Sequence, residues 1–95
     1  MTTTQPRRVT RVEPVDRLEL DDGVLLLYDR TVIRLTDLGR AVVEMCEQPL
    51  TEAEIAERLA AEFGEPPEGG LLEATHRLVE DLLSGDVLRR AEGRR

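Results

Sequence analysis

The chain has 95 residues, of which 40% are hydrophobic, 35% charged and only 2% aromatic, with a net charge of −7 and a pI near 4.7. That length allows one domain with one modest core, and the acidic balance argues against a nucleic-acid binder, which needs a basic face for phosphate. No apolar run reaches the length of a membrane span and no secretory signal is visible. All 13 basic residues are arginine, a bias expected of a GC-rich bacterial genome. Cys46 is the only cysteine, which excludes an internal disulfide or a cysteine metal cluster and fits a reducing cytoplasm. The domain is expected over residues 9–90, with residues 1–8 (MTTTQPRR) and 91–95 as disordered tails.

A first strand near Val9 to Val15 is weakened by Pro14. "RLEL" alternates polar and apolar residues, with Leu18 and Leu20 on one face. Asp21-Asp22-Gly23 signals a hairpin, since Asp-Gly tolerates the positive φ of a tight turn. The unbroken "VLLLY" reads as a more buried strand, and a short Asp29-Arg30 connection leads into "TVIRL". Three strands joined by short turns predict an antiparallel meander with its first and third strands at the edges.

Three helices follow. Thr36 or Asp37 caps the first, which runs to about Glu47 with Leu38, Val42 and Met45 on one face. "TEAE" at Thr51–Glu54 is a capping box that opens the second, whose face is Ile55, Leu59 and Phe63 and whose stop is Gly64. After the breaker-rich "EPPEGG", a third helix spans about Leu71 to Ser84. Its apolar positions cover an arc of roughly 140°, wider than a core-facing stripe requires. "DVLRR" is expected as a brief extended return to the sheet. Strands followed by helices make this an α+β chain.

Catalytic constellations are scarce. His76 is the only histidine and has no partner at metal-ligand spacing. Cys46 reads as a small buried hydrophobe, and the acidic pairs Asp21/Asp22, Glu52/Glu54 and Glu80/Asp81 sit at turns, helix starts and polar faces. The chain is therefore expected to be neither an enzyme nor a binder of metal or cofactor. Surface geometry remains. "TVIRL" has no proline and only Arg34 as a blunting charge, so its edge is open to strand addition by an extended peptide. Whether "DVLRR" or Val9–Val15 covers that edge stays open at this level.

The ordered set of "TVIRLTDLGRAVVEMCEQPLTEAEIAERLAAEFG" and a long helix resembles the PqqD-like family of peptide chaperones in pyrroloquinoline quinone biosynthesis. More broadly it resembles the recognition elements of ribosomally made, post-translationally modified peptides. Leu35-Thr36 stands at the family's strand–helix junction, Gln48-Pro49 at its break, and Thr51 through Leu59 at its "TxxEIxxxL" helix. "EQP" replaces the usual "DG", Thr36 the usual Asn, and the strand lacks the aromatics many members carry there. The resemblance implies a winged-helix-like domain, a three-stranded antiparallel sheet followed by three helices. It implies that the leader region of a precursor peptide docks as a fourth strand along Thr31, Val32, Ile33, Arg34 and Leu35. The helix wall is expected from Leu72, His76, Val79 and Leu83, with Thr75 and Leu78 as further contributors that also lie toward the core. The implied partner is a radical S-adenosylmethionine enzyme, a lasso-peptide protease and cyclase pair, or a cyclodehydratase, with the chain a monomer or homodimer. Two other readings are a winged-helix DNA-binding regulator and a structural homodimer pairing through sheet edges. The third helix sets Arg77 and His76 against Glu73, Glu80 and Asp81, which disfavours the first of these.

Overall fold

The computed structural model describes residues 7–91. The order along the chain is β1 (Arg8–Arg11), β2 (Asp16–Leu20), β3 (Gly23–Leu27), β4 (Val32–Leu35), α1 (Asp37–Met45), β5 (Leu50–Thr51), α2 (Glu52–Phe63), α3 (Leu71–Ser84) and β6 (Leu88–Ala91). The α+β class and the antiparallel meander β2–β3–β4 ahead of three helices are as the sequence predicts. Of the expected tails, Arg8 and Ala91 belong to strands and Arg7 makes ion pairs; residues 1–6 and 92–95 lie outside the described residues.

Leu20 pairs with Gly23, so Asp21-Asp22 is a two-residue hairpin loop. The positive φ falls on Gly23 alone, at +152°, and not on either aspartate. A Cβ on Gly23 would collide with the carbonyl oxygen of Leu35 on β4. This glycine therefore serves the close approach of the third strand as well as the turn.

Cross-strand partners share a face. Val24 and Leu26 of β3, with Leu35 and the half-buried Ile33 of β4, face the helices. The β2 residues on that same face are Arg17 and Glu19. They meet charge rather than core: Arg40 of α1 pairs with Glu19 at 2.9 Å and with Glu44 at 3.2 Å, and Arg17 pairs with Glu19 at 2.7 Å. Leu18 is consequently turned outward and is 55% exposed.

The sequence placed one sheet here, and the fold has two. β1 pairs antiparallel with both β5 and β6, in the order β5–β1–β6. "DVLRR" thus returns to β1 and not to the meander, and β1 ends at Arg11, before Pro14 can interrupt its ladder. Val9, Val42, Ile55, Val79, Val87 and Leu88 form the fully buried centre, each contributing about 1.5–3 kcal/mol by burial.

Cap chemistry sets the helix ends. Glu54 N donates to Thr51 Oγ1 at 3.2 Å and Thr51 N donates to Glu54 Oε1 at 2.9 Å, completing the capping box. Gly64 closes α2 at φ +83°. Thr36 occupies the cap position of α1, but its hydroxyl makes no capping bond; Asp37 in the first turn supplies the favourable charge instead. α1 ends at Met45, two residues earlier than expected, and buries Gly39, Val42 and Val43 while Leu38 stays 45% exposed. A Cβ on Gly39 would stand 3.3 Å from Leu35 Cδ2, so the glycine lets α1 lie close against β4.

Candidate functional site

Among the described residues β4 is bonded to β3 on one side only. The two segments able to cover its other side, β1 and β6, pair with each other in the second sheet. The ladder determines which backbone groups face outward. Tyr28 N donates to Thr31 O at 2.8 Å, closing the β3–β4 hairpin, and Leu27 O is taken on the β2 side by Val15 N at 2.7 Å. Bonded and non-bonded pairs alternate in an antiparallel ladder. Leu26/Ile33 and Val24/Leu35 are therefore the bonded pairs, and the N–H and C=O groups of Val32 and Arg34 point to the open edge. Arg34, the one blunting charge, is drawn to Asp22 at 2.7 Å.

Beside this edge runs a cleft of about 250 Å³. Its strand side is Ile33, Arg34, Leu35 and Thr36, and its helix side is Leu78, Asp81, Leu82 and Gly85 of α3. A Cβ on Gly85 would stand 3.7 Å from Ile33 Cδ1, so the end of α3 lies close to the strand. Asp81 gives the wall an acceptor for a cation or N–H donor.

Of the expected strand residues, Val32, Ile33, Arg34 and Leu35 form β4, with Val32 61% exposed and Leu35 in the core, while Thr31 precedes the strand and closes the hairpin. The helix residues divide. Leu78 lines the cleft. Val79 is fully buried in the core and Leu83 packs against it. Thr75 is buried and lines a neighbouring hollow. Leu72 and His76 do not line the cleft; they border a shallow depression with Glu52, Ala53, Glu73 and Glu80. The apolar arc of α3 has two shoulders around the buried line Thr75, Val79 and Leu82, and packing turns the Leu78 shoulder to β4. Sequence reasoning passed over Leu82, Asp81, Gly85 and Gly39. The available signal was size: Ala74 and Gly85 leave room on that shoulder, whereas Glu73, Arg77 and Glu80 crowd the other.

On the far shoulder Arg7 Nη2 contacts Glu52 Oε2 at 2.6 Å and Glu80 Oε2 at 2.5 Å, and His76 Nδ1 lies 2.9 Å from Glu52 Oε1. Glu52, His76 and Glu80 come within ligand distance of one another, but the Arg7 cation already compensates both carboxylates. Burial pushes the Glu52 carboxyl up, and the hydrogen bonds from Arg7 and His76 outweigh it, leaving the group below its ordinary value. Cys46 closes α1 with its side chain buried, which pushes the thiol up to about 11. Its carbonyl accepts from Thr10 Oγ1 at 2.9 Å and Arg11 N at 3.0 Å, tying α1 to β1.

No helix among the described residues is long and apolar enough to cross a membrane. The fold and its edge define a small α+β domain that presents unpaired strand backbone beside an apolar trough. Residues 23–88, from β3 into β6, match the family model described as Coenzyme PQQ synthesis protein D (PqqD), and the chain belongs to that family. No curated protein and no solved structure matches the chain.

Proposed function

We infer that this protein is a non-catalytic recognition module that binds the leader segment of a ribosomally synthesised precursor peptide as a strand added to β4, and presents it to a modifying or processing enzyme. The observation that carries this reading is the open β4 edge, with the Val32 and Arg34 backbone groups unpaired beside the α3 cleft. Those two residues offer two donors and two acceptors, and each bond to a guest strand is worth about 1 kcal/mol net. Apolar side chains of the guest would enter the cleft between Ile33 and Leu78, giving register, while Asp81 favours a basic or polar neighbour. The guest runs antiparallel to β4, the more stable pairing and the one used throughout both sheets.

Membership of a family named for coenzyme synthesis supports a partner enzyme of peptide-derived cofactor or natural-product assembly. A radical S-adenosylmethionine enzyme, a lasso-peptide protease and cyclase pair, and a cyclodehydratase are the candidates. The test is titration of the labelled protein with the leader encoded by the neighbouring precursor gene. Saturable binding that Val32→Pro weakens at least tenfold is expected. Absence of saturable binding, or binding indifferent to that substitution, would overturn the reading.

A further inference from the structure

The meander β2–β3–β4 is apolar on both faces, although among the described residues its helix packing is all on one of them. An antiparallel sheet with one side in water normally alternates apolar and polar residues along each strand. β3 departs from that pattern. Val24 and Leu26 face the core, while Leu25 and Leu27 point the other way and are half-buried. Leu18 stands opposite Leu25 and Val32 opposite Leu27, so these four side chains share the outer face, with Leu20 next along β2. Leu18 is 55% and Val32 61% exposed. A contiguous aliphatic patch, unlike scattered single residues, marks an interaction surface.

Its margin is charged. Asp16 lies on β2, Asp21 and Asp22 in the hairpin loop, Asp29 and Arg30 in the next turn, and Arg34 on β4. Arg34 is held by Asp22 at 2.7 Å, which leaves the rim with an acidic balance. Two copies of the chain placed face to face would set one acidic rim against another, each on a protein of net charge −7. Three strands of five residues also give a face of only roughly 14 by 17 Å, whereas a standard interface buries about 800 Å² per partner.

We propose that this outer face is the docking surface for the processing enzyme, whose matching patch is aliphatic with a rim of lysine or arginine, and that the guest strand completes the surface. The proposal rests on the reading of β4 as the docking edge. Cross-strand partners share a face, so guest residues opposite Ile33 and Leu35 enter the α3 cleft, and those opposite Val32 and Arg34 join the outer face. A fourth strand widens the face by about 5 Å. The enzyme therefore touches domain and leader together, and the loaded domain binds it more tightly than the empty one.

The test is fluorescence anisotropy of the labelled full chain, titrated with the processing enzyme encoded beside it, with and without saturating leader from the neighbouring precursor gene. The leader should tighten enzyme binding at least fivefold. Leu18 is two strands away from the guest and outside the core. Leu18→Glu should therefore weaken enzyme binding at least tenfold, and the rim reversal Asp16→Lys at least threefold. Both variants should keep a cooperative thermal melt and bind the leader within twofold of wild type. Enzyme affinity unchanged by both substitutions, or no enzyme binding with or without leader, would overturn the surface. Loss through Leu18→Glu with no effect of a bound leader would sink the completion by the guest strand. A leader that fails to bind the wild type sinks the docking edge, while the two substitutions still report on the face through the empty chain. A wild-type dimer in sedimentation that Leu18→Glu dissociates would overturn the proposal by giving the face to a second copy.

Discussion

Two neighbouring prolines separate a docking edge from an ordinary strand. Val32 directs its N–H away from β3, whereas Ile33 donates its N–H into the β3–β4 ladder opposite Leu26. Ile33→Pro deletes that bond and strands a carbonyl on the sheet's inner side. A lost net bond of about 1 kcal/mol and an unpaired acceptor of about 1–3 kcal/mol sum to about 3 kcal/mol. For a domain of this length each kcal/mol moves Tm by about 4–8 °C, so a fall of roughly 10–25 °C is expected. Val32→Pro loses no ladder bond and replaces a side chain that is 61% exposed, so its Tm should change by less than about 8 °C. The ranking reverses for peptide: Val32→Pro removes a donor from the guest ladder and sets ring carbons where the guest carbonyl must come. A loss of about 1.4 kcal/mol or more, tenfold in Kd, follows. Thermal unfolding by circular dichroism and titration calorimetry of both variants provide the assay. Equal destabilisation by the two prolines would refute the assignment of outward groups, and unaltered peptide affinity in a folded Val32→Pro would refute the docking edge.

Other expectations follow from local chemistry. Thr75→Val should raise Tm by roughly 4–20 °C in the peptide-free protein, because the hydroxyl it removes is buried without a partner at a cost of about 1–3 kcal/mol; a drop in a thermal melt would mean that the hydroxyl is bonded. Gly23→Ala should cost about 3 kcal/mol or more, since φ is +152° and the new methyl meets the Leu35 carbonyl; urea unfolding at wild-type stability would count against the close approach of β4. Cys46, buried and pushed up to about 11, should stay unreactive toward a disulfide reagent at pH 8 and react at once in denaturant; a rapid reaction in the native protein would refute its burial. The depressed Glu52 carboxyl contributes stability that is present above its unfolded value of about 4.3 and lost as pH falls through the lower folded value. The stability gap between wild type and Arg7→Ala should therefore close in acid, and urea melts showing a gap that is constant from pH 7 to pH 2 would contradict the pairing.

Local signals were legible where a residue's own chemistry dictates the backbone. Asp21-Asp22-Gly23 marked a hairpin turn, Thr51 and Glu54 the start of α2, Gly64 its end, and the period of α3 its span from Leu71 to Ser84. What failed to show was set by distant partners. Arg8 pairs with Ala91 and Val9 with Leu50, so the second sheet unites segments that carry no local mark of one another. The same holds for the helix wall. Leu72, His76 and Leu78 all flank one wide apolar arc, and only the packing of α3 against α2 and β6 decides that Leu78 meets β4. In β2 alternation revealed that Leu18 and Leu20 share a face, but Arg40 and Glu44 of α1 draw Arg17 and Glu19 inward and send the leucines out.

The pairing of β1 with β6 also fixes how the domain connects to anything attached to it. Arg8 and Ala91 are cross-strand partners, so the described chain enters and leaves at points about 5 Å apart. Entry and exit that close suit splicing into a loop of a larger polypeptide, or circular permutation through a short linker. Neither operation touches β4, because the clasp belongs to the other sheet. A tether, dye or host protein joined beside Arg8 or Ala91 would thus report from one spot and leave the β4 pairing untouched.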